Sequence, residues 1–468
     1  MSVAREAFEV LNRAAGIAPM RAPSFEGNDP ILPTPFRAAS AAAAALGLGA
    51  AAAGEIWRLR GGEQQQMSVD LNAAAASLLS FTLQTLDGNP LPREQHPVTG
   101  IYQCGDGRFI HLHGGFPWLA KRTLDLLNAE GTPDAIAAGT EKWNAFALEE
   151  SLAFMELCGA VVRDPQEWKQ TAQGAALAKT PPVVLKKIGS APPLRLPQSA
   201  DPLADIRVLD LTRVLAGPSA GRTLASYGAD VLQVRSEKLP AIETFDLDTG
   251  HGKRAINLEL LKPGDAETLR QLARNAHVFI DSYRPGALAK LGFSPLALAH
   301  SNPGMIYVAV SCYGHEGPWA KRRGWEQLAQ AATGIAFEQG AFIAQREGRR
   351  EIVPKLIPAA ACDYISGYLA AAGTAAALLR RIREGGSWLV EVSLSATAMW
   401  LQSLGKADAA EVPESWNPAG LDAYMQSCET ARGRLRFLGP VVRMAQTPPA
   451  WRRPPPMPGA DETKWLAA

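Results

Sequence analysis

The sequence predicts an α/β protein with a larger domain built on a parallel sheet covered by helices and a smaller α+β domain. Two observations carry this reading. From Ile206 onward, short and almost wholly apolar runs (IRVLDL, ADVLQVRS, AHVFIDSY, GMIYVAVSCYG and, after Gly386, WLVEVSL) alternate with helical stretches. Strands buried on both faces read as continuous apolar runs, and parallel neighbours need a crossover that is usually a helix. Residues 87 to 180, in contrast, carry short alternating strands around the turn GDG followed by helical segments. The parallel part is Rossmann-like, and ligands of such sheets bind at the carboxyl ends of strands, over helix N-termini. The loop after its first strand reads TRVLAGPSAG, not GxGxxG, so the dinucleotide fingerprint is missing.

Taken in order, residues 1 to 86 begin with a short helix and a Pro-rich turn, then give an Ala-rich helix, a Gly-Gly turn, a strand and a second Ala-rich helix. At an offset of 323 residues this stretch matches a later one at Leu46/Leu369, Arg58/Arg381, Arg60/Arg383, Gly62/Gly385, Val69/Val392 and Leu71/Leu394. That order marks an internal repeat, with Ser40 standing where the second copy has Asp363. Residues 87 to 180 form the small domain. His111 and His113 alternate there on one strand face, a metal pair without a third ligand or, more simply, a strand pair. Residues 181 to 202 are dense in Pro and read as a linker. Residues 203 to 405 hold the parallel sheet, and 406 to 468 a tail.

The second copy of the repeat, Pro358 to Leu401, places Asp363 at the head of an Ala-rich run with no other acid before Glu384 and a basic last turn before Gly385-Gly386. This is a helix with its C-terminal stop. Asp363 is either an N-terminal capping carboxylate or a nucleophile or base held where the helix dipole favours negative charge.

Composition narrows the function. The 468 residues carry a formal net charge of +1, which gives no global field for nucleic acid or an anionic membrane. Any anionic ligand must then be held by a local cluster. Five scattered cysteines without a CxxC fit free thiols in a reducing compartment, and neither signal peptide nor membrane span is read, so a cytoplasmic protein is expected. Basic residues recur at strand ends: Arg213, Lys253-Arg254, Arg284 with Lys290 behind it, and Lys321-Arg322-Arg323. Such a rim suits a multiply phosphorylated ligand.

The motifs VLDLTRVLAGPSAGRTLASYGADVLQV, GKRAINLEL, AHVFIDSYRPGALAKLGFSPLALAHSNPGMIYVAVSCYGHEGPWAKRRG, ACDYISGY and GGSWLVEVSL, in that order, resemble the class III CoA transferase (CaiB/BaiF) family. The resemblance covers roughly 203 to 405, with fainter likeness over 87 to 180. It implies an acyl-CoA:carboxylate CoA-transferase that works through an aspartyl-CoA thioester, with coenzyme A present as acyl-CoA substrate, a carboxylic acid as acceptor, and no metal. It implies Asp363 as the catalytic residue, in the context DYISG. Arg213, Val214 and Ala216 would be the first loop against the coenzyme, Leu258 an adenine-side contact, and Tyr283, Arg284, Ala287 and Lys290 the third loop.

Some positions depart from the family. Trp325 stands where racemases carry His, and Leu215 replaces a polar residue of the formyl transferases. An acyl-CoA isomerase, racemase or lyase on the same scaffold, or a non-catalytic CoA-binding protein, are the alternatives. Family members are interlocked dimers, and here the halves read as fused and trimmed. The chain is accordingly expected to be a monomeric pseudo-dimer or a homodimer, with one site per chain.

Overall fold

The computed structural model describes residues 1–16, 20–92 and 96–466; residues 17–19, 93–95 and 467–468, which fall in the predicted first segment, small domain and tail, lie outside the described residues. At its centre, two long helices, Ala38–Leu59 and Ala361–Glu384, pack against each other. Both are rich in small residues, so their backbones approach closely: a Cβ on Gly49 would sit 3.8 Å from that of Ala372. Ala38–Leu59 is long and apolar enough to cross a bilayer, and in this structure it is buried in the core. The second helix stops where Gly385 takes a positive φ of 65° and lies so close to the Ala191 carbonyl that a Cβ there would clash.

The large sheet has seven strands in the order Lys253–Asn257, Asp230–Arg235, Arg207–Leu211, Val278–Asp281, Ile306–Ser311, Ser387–Ser393, Val183–Gly189. The first six are parallel, and numbered by their appearance in the chain they run 3-2-1-4-5-6, the doubly wound order. The strand order reverses between Arg207–Leu211 and Val278–Asp281.

Two strands were not legible as such. Lys253–Asn257, taken as a basic loop, is the edge strand: Lys253 is buried and bonds Asp210 at 2.7 Å, and Arg254 pairs with Asp230 at 2.9 Å. Paired charges under a sheet break the apolar run by which a buried strand is recognised. Val183–Gly189, taken as part of the linker, is the seventh strand, antiparallel to Ser387–Ser393. Its consecutive Lys186 and Lys187 are exposed at an edge, while Leu185 packs on the core, so neither a clean alternation nor an apolar run marks it.

The repeat is visible in three dimensions. Strand Met67–Asp70 follows the first long helix as Ser387–Ser393 follows the second, and helices Leu71–Ser77 and Leu394–Ser403 come next. Each of these strands is flanked by one parallel neighbour (Ser24–Glu26; Ile306–Ser311) and one antiparallel neighbour (Val442–Met444; Val183–Gly189). The tail therefore does more than trail. Its hairpin, Met425–Thr430 with Gly433–Leu438, joins strands near residue 85 in a four-stranded sheet, and Val442–Met444 completes the sheet of the first copy.

Candidate active site

The helix Ala361–Glu384 begins at the carboxyl end of the large sheet, and its first turn carries Asp363. The residue one turn on is Gly367, where a Cβ would meet the Ala216 carbonyl at 2.6 Å and Ser219 at 2.7 Å. The spacing in DYISG thus has a steric cause. Glycine lets the helix Ala216–Ser226, which follows the first loop, lie against the central helix and brings that loop beside Asp363.

The loop is drawn in from both sides. Arg213 donates its backbone N–H to Ser282 Oγ at 3.2 Å, which ties together the loops following the two strands at the switch point. Val214 holds φ at 71°, an unusual conformation for a β-branched residue and one met at ligand-binding sites. The third loop is anchored by Asp281, whose carboxylate accepts from the Tyr283 backbone N–H and the Tyr307 hydroxyl, both at 2.7 Å.

Between these loops lies a cavity of about 450 Å³. Asp363, Arg213, Val214, Ala216, Tyr283, Arg284 and Ala287 all line it, so seven of the nine residues singled out in the sequence are brought together. The other two are not on its wall. Leu258 is buried in an apolar cluster that Tyr283 packs against, and Lys290 is exposed beyond the cavity. Of the basic rim, Arg213, Arg284 and Arg323 line the cavity; Lys253 and Arg254 are consumed by Asp210 and Asp230, and Arg322 pairs with Glu150 at 2.7 Å. Arg284 pairs with Glu156 at 2.9 Å, and Arg323 approaches the same carboxylate at 4.0 Å while lying over the Trp118 ring.

The small domain closes the cavity. Phe116, Trp118 and Leu119, at the head of helix Pro117–Leu127, form its lid-side wall, and the Arg213 guanidinium sits over Phe116 and bonds the Pro240 carbonyl. One chain supplies both the sheet side and the small-domain side. Trp325 lines the cavity, and Trp400 is buried apart from it. Gly324 is on the wall, packed on Cys312, whereas Gly334 is a helix junction packed on Pro165.

Asp363 is 9% exposed, and no group among the described residues donates a hydrogen bond to its carboxylate. Burial and the neighbouring Glu326 push its pKa well above the usual carboxylate range, against the negative charge that the helix dipole would favour. Glu326, which the sequence did not single out, is the second carboxyl of the site. It accepts the backbone N–H groups of Cys362 at 3.2 Å and Asp363 at 2.5 Å, and the Gln330 amide at 2.6 Å. It therefore caps the helix that presents Asp363. The signal was available in the acid that follows Trp325 in GWEQLAQ. Burial raises the Glu326 pKa as well, and the three donors its carboxylate accepts partly offset this by favouring its anion.

A switch-point cavity with a buried carboxylate on its wall and arginines at its rim suits a phosphorylated ligand, and comparison with known proteins names one. A family model described as CoA-transferase family III matches residues 203–420. An acyl-CoA transferase of Gibberella moniliformis is 30% identical, over 92% of this chain and 89% of that protein. A probable fatty acyl-CoA transferase of Mycobacterium tuberculosis is 32% identical, over 44% of this chain and 53% of that protein. The crystal structure of a CaiB/BaiF family protein from Brucella suis is 26% identical with a TM-score of 0.38, covering 50% of this chain and 65% of that one. The chain is a CoA-transferase. It belongs to CoA-transferase family III.

Proposed function

We propose that the protein moves coenzyme A from an acyl-CoA to a carboxylic acid through covalent intermediates on Asp363. The observation that carries this reading is the position of Asp363 on the wall of a cavity formed by the two loops of the switch point. Its ionised carboxylate attacks the thioester carbonyl and expels CoA thiolate, giving a mixed acyl-aspartyl anhydride. The thiolate then attacks the aspartyl carbonyl and releases the donor acid, leaving an aspartyl-CoA thioester. The acceptor carboxylate attacks that thioester and frees the thiolate, which attacks the acceptor acyl carbon and returns Asp363 as carboxylate.

The raised pKa means that Asp363 must first lose its proton to solvent through the open cavity, and a buried carboxylate without hydrogen-bond donors is a stronger nucleophile than one in water. In this reading Arg213, Val214, Ala216, Tyr283, Arg284 and Ala287 flank the pantetheine arm and phosphates, with Leu258 and Lys290 on the outer, nucleotide side.

Two experiments test it. Adding hydroxylamine with acyl-CoA should trap an acyl hydroxamate in an Asp363-dependent manner, whereas an isomerase or lyase using Asp363 as a base would yield none. Calorimetric titration with coenzyme A should give one site per chain; two equal sites would contradict the single pocket.

A further inference from the structure

The HLHGG motif of the small domain, residues 111 to 115, is not used by the chemistry above, yet its His113 stacks on Trp325 of the cavity wall. His111 and His113 are both buried, and burial holds them neutral, with pKa values of about 3 and about 4. The His113 ring lies flat on the Trp325 indole, with centroids 4.7 Å apart and planes 3° from parallel. The ring is fixed from behind. Its Nδ1 accepts the Gly115 backbone N–H at 3.2 Å, and a Cβ on Gly115 would collide with Cε1 at 2.4 Å, so glycine is what leaves room for this placement.

Trp325 is held on two further sides: Phe116 meets it edge-on at 5.4 Å, and the buried Cys158 thiol lies beside its indole. What is left of this half-buried indole faces the cavity that Asp363 lines. Val310, Cys312 and Leu394 line the same space without charge. The three arginines of the cavity are engaged at other points, Arg213 with the Pro240 carbonyl and Arg284 and Arg323 with Glu156.

We propose that Trp325 is the residue that selects the acyl group, with His113 as its positioning residue, and that together they restrict the enzyme to short, uncharged, apolar acyl-CoAs. The inference rests on the covalent role of Asp363 proposed above and names the substrate class for it. An indole clamped on three sides cannot move aside, so each added methylene must find room elsewhere, and discrimination of about tenfold or more per step is within the reach of a rigid apolar wall.

The test is the rate of acyl-hydroxamate formation with acetyl-, propionyl-, butyryl-, hexanoyl- and succinyl-CoA, alongside peptide mass spectrometry for acylation of residue 363. The wild-type enzyme should prefer the short apolar donors over hexanoyl- and succinyl-CoA. Trp325→Ala should raise the hexanoyl-to-acetyl ratio of kcat/KM by at least tenfold, and His113→Ala should move it in the same direction. His113→Phe, which keeps a flat ring, should restore the wild-type ratio, a rescue that a merely structural histidine would not require. If Trp325→Ala slows all donors equally, or if succinyl-CoA is the best wild-type donor, the selecting role is wrong while the Asp363 adduct stands. If wild type gives no adduct on residue 363 with any donor, the covalent reading itself fails.

Discussion

The two copies of the repeat share a backbone and differ in chemistry. Their long helices start in the same way, with Arg37 at φ −82°, ψ 55° and Ala360 at φ −84°, ψ 56°. In both, an acid accepts a backbone N–H at the third residue: the half-buried Asp29 from Ser40 at 2.7 Å, the buried Glu326 from Asp363 at 2.5 Å. The acid that caps the helix is present twice, from unrelated stretches of sequence, because each helix start needs a partner for its free N–H groups. The acid inside the helix is present once. Ser40 stands in its place in the first copy and Ala44 stands in place of Gly367.

The trimming is complementary. The first copy keeps the helical small domain and lacks the six-stranded parallel sheet; the second keeps that sheet and has only the hairpin Met425–Leu438 beside the first copy's strands. On the proposed mechanism, capping belongs to the fold and the acid at 363 to the reaction.

The largest effect expected from breaking this comparison is at the matched pair itself. Asp363→Ala should lower turnover by about six orders of magnitude, as loss of a nucleophile does, with coenzyme A binding intact by calorimetry. Ser40→Ala should change turnover less than twofold. Equal losses in both variants would mean that the two helix starts are functionally alike.

The capping acids come next. Removing Glu326 or Asp29 by alanine leaves buried N–H groups without their acceptor and should cost about 1–3 kcal/mol each in denaturant unfolding. Only Glu326→Ala should also reduce kcat, since only its helix carries Asp363.

The pH profile sharpens the point further. Asp363 must be ionised to attack, and its pKa is raised, so kcat/KM should fall as pH drops through a value well above the usual carboxylate range. Glu326→Gln removes the negative neighbour that helps raise it, so the acid limb should move to lower pH. A limb that stays put would show that burial alone sets the shift.

A further matched pair is Gly367 and Ala44, and only its second member should be mild. Gly367→Ala drives a Cβ into the Ala216 carbonyl and should cost about 1–3 kcal/mol with loss of activity, by the usual penalty of overpacking. Ala44→Gly should cost about 1 kcal/mol through helix propensity, with activity kept.

Much of this was legible in the sequence where local pattern and global fold agree. The apolar runs from Ile206 gave the parallel strands, and Gly385-Gly386 gave the end of the central helix. The Arg, Gly and Val-x-Leu order gave the repeat. Legibility failed where tertiary pairing replaces periodicity. Lys253 reads as a solvated loop residue until Asp210 is seen beneath it, and the strand Val183–Gly189 hides among prolines because it is an edge. For the site, the lone acid in an uncharged run and the strand-end arginines led to the cavity. Glu326, His113 and Phe116 were missed as site residues because each acts through a neighbour distant in sequence: the N-terminus of another helix, an indole, a guanidinium.

The central claim, that the acid present in only one copy forms the covalent bond, is tested most directly by mass spectrometry of peptides from enzyme quenched during turnover with acyl-CoA. The account predicts an acyl or coenzyme A adduct on the peptide containing Asp363, and none on that peptide in Asp363→Asn. An adduct on the peptide containing Ser40, or turnover without an adduct at 363, would contradict it.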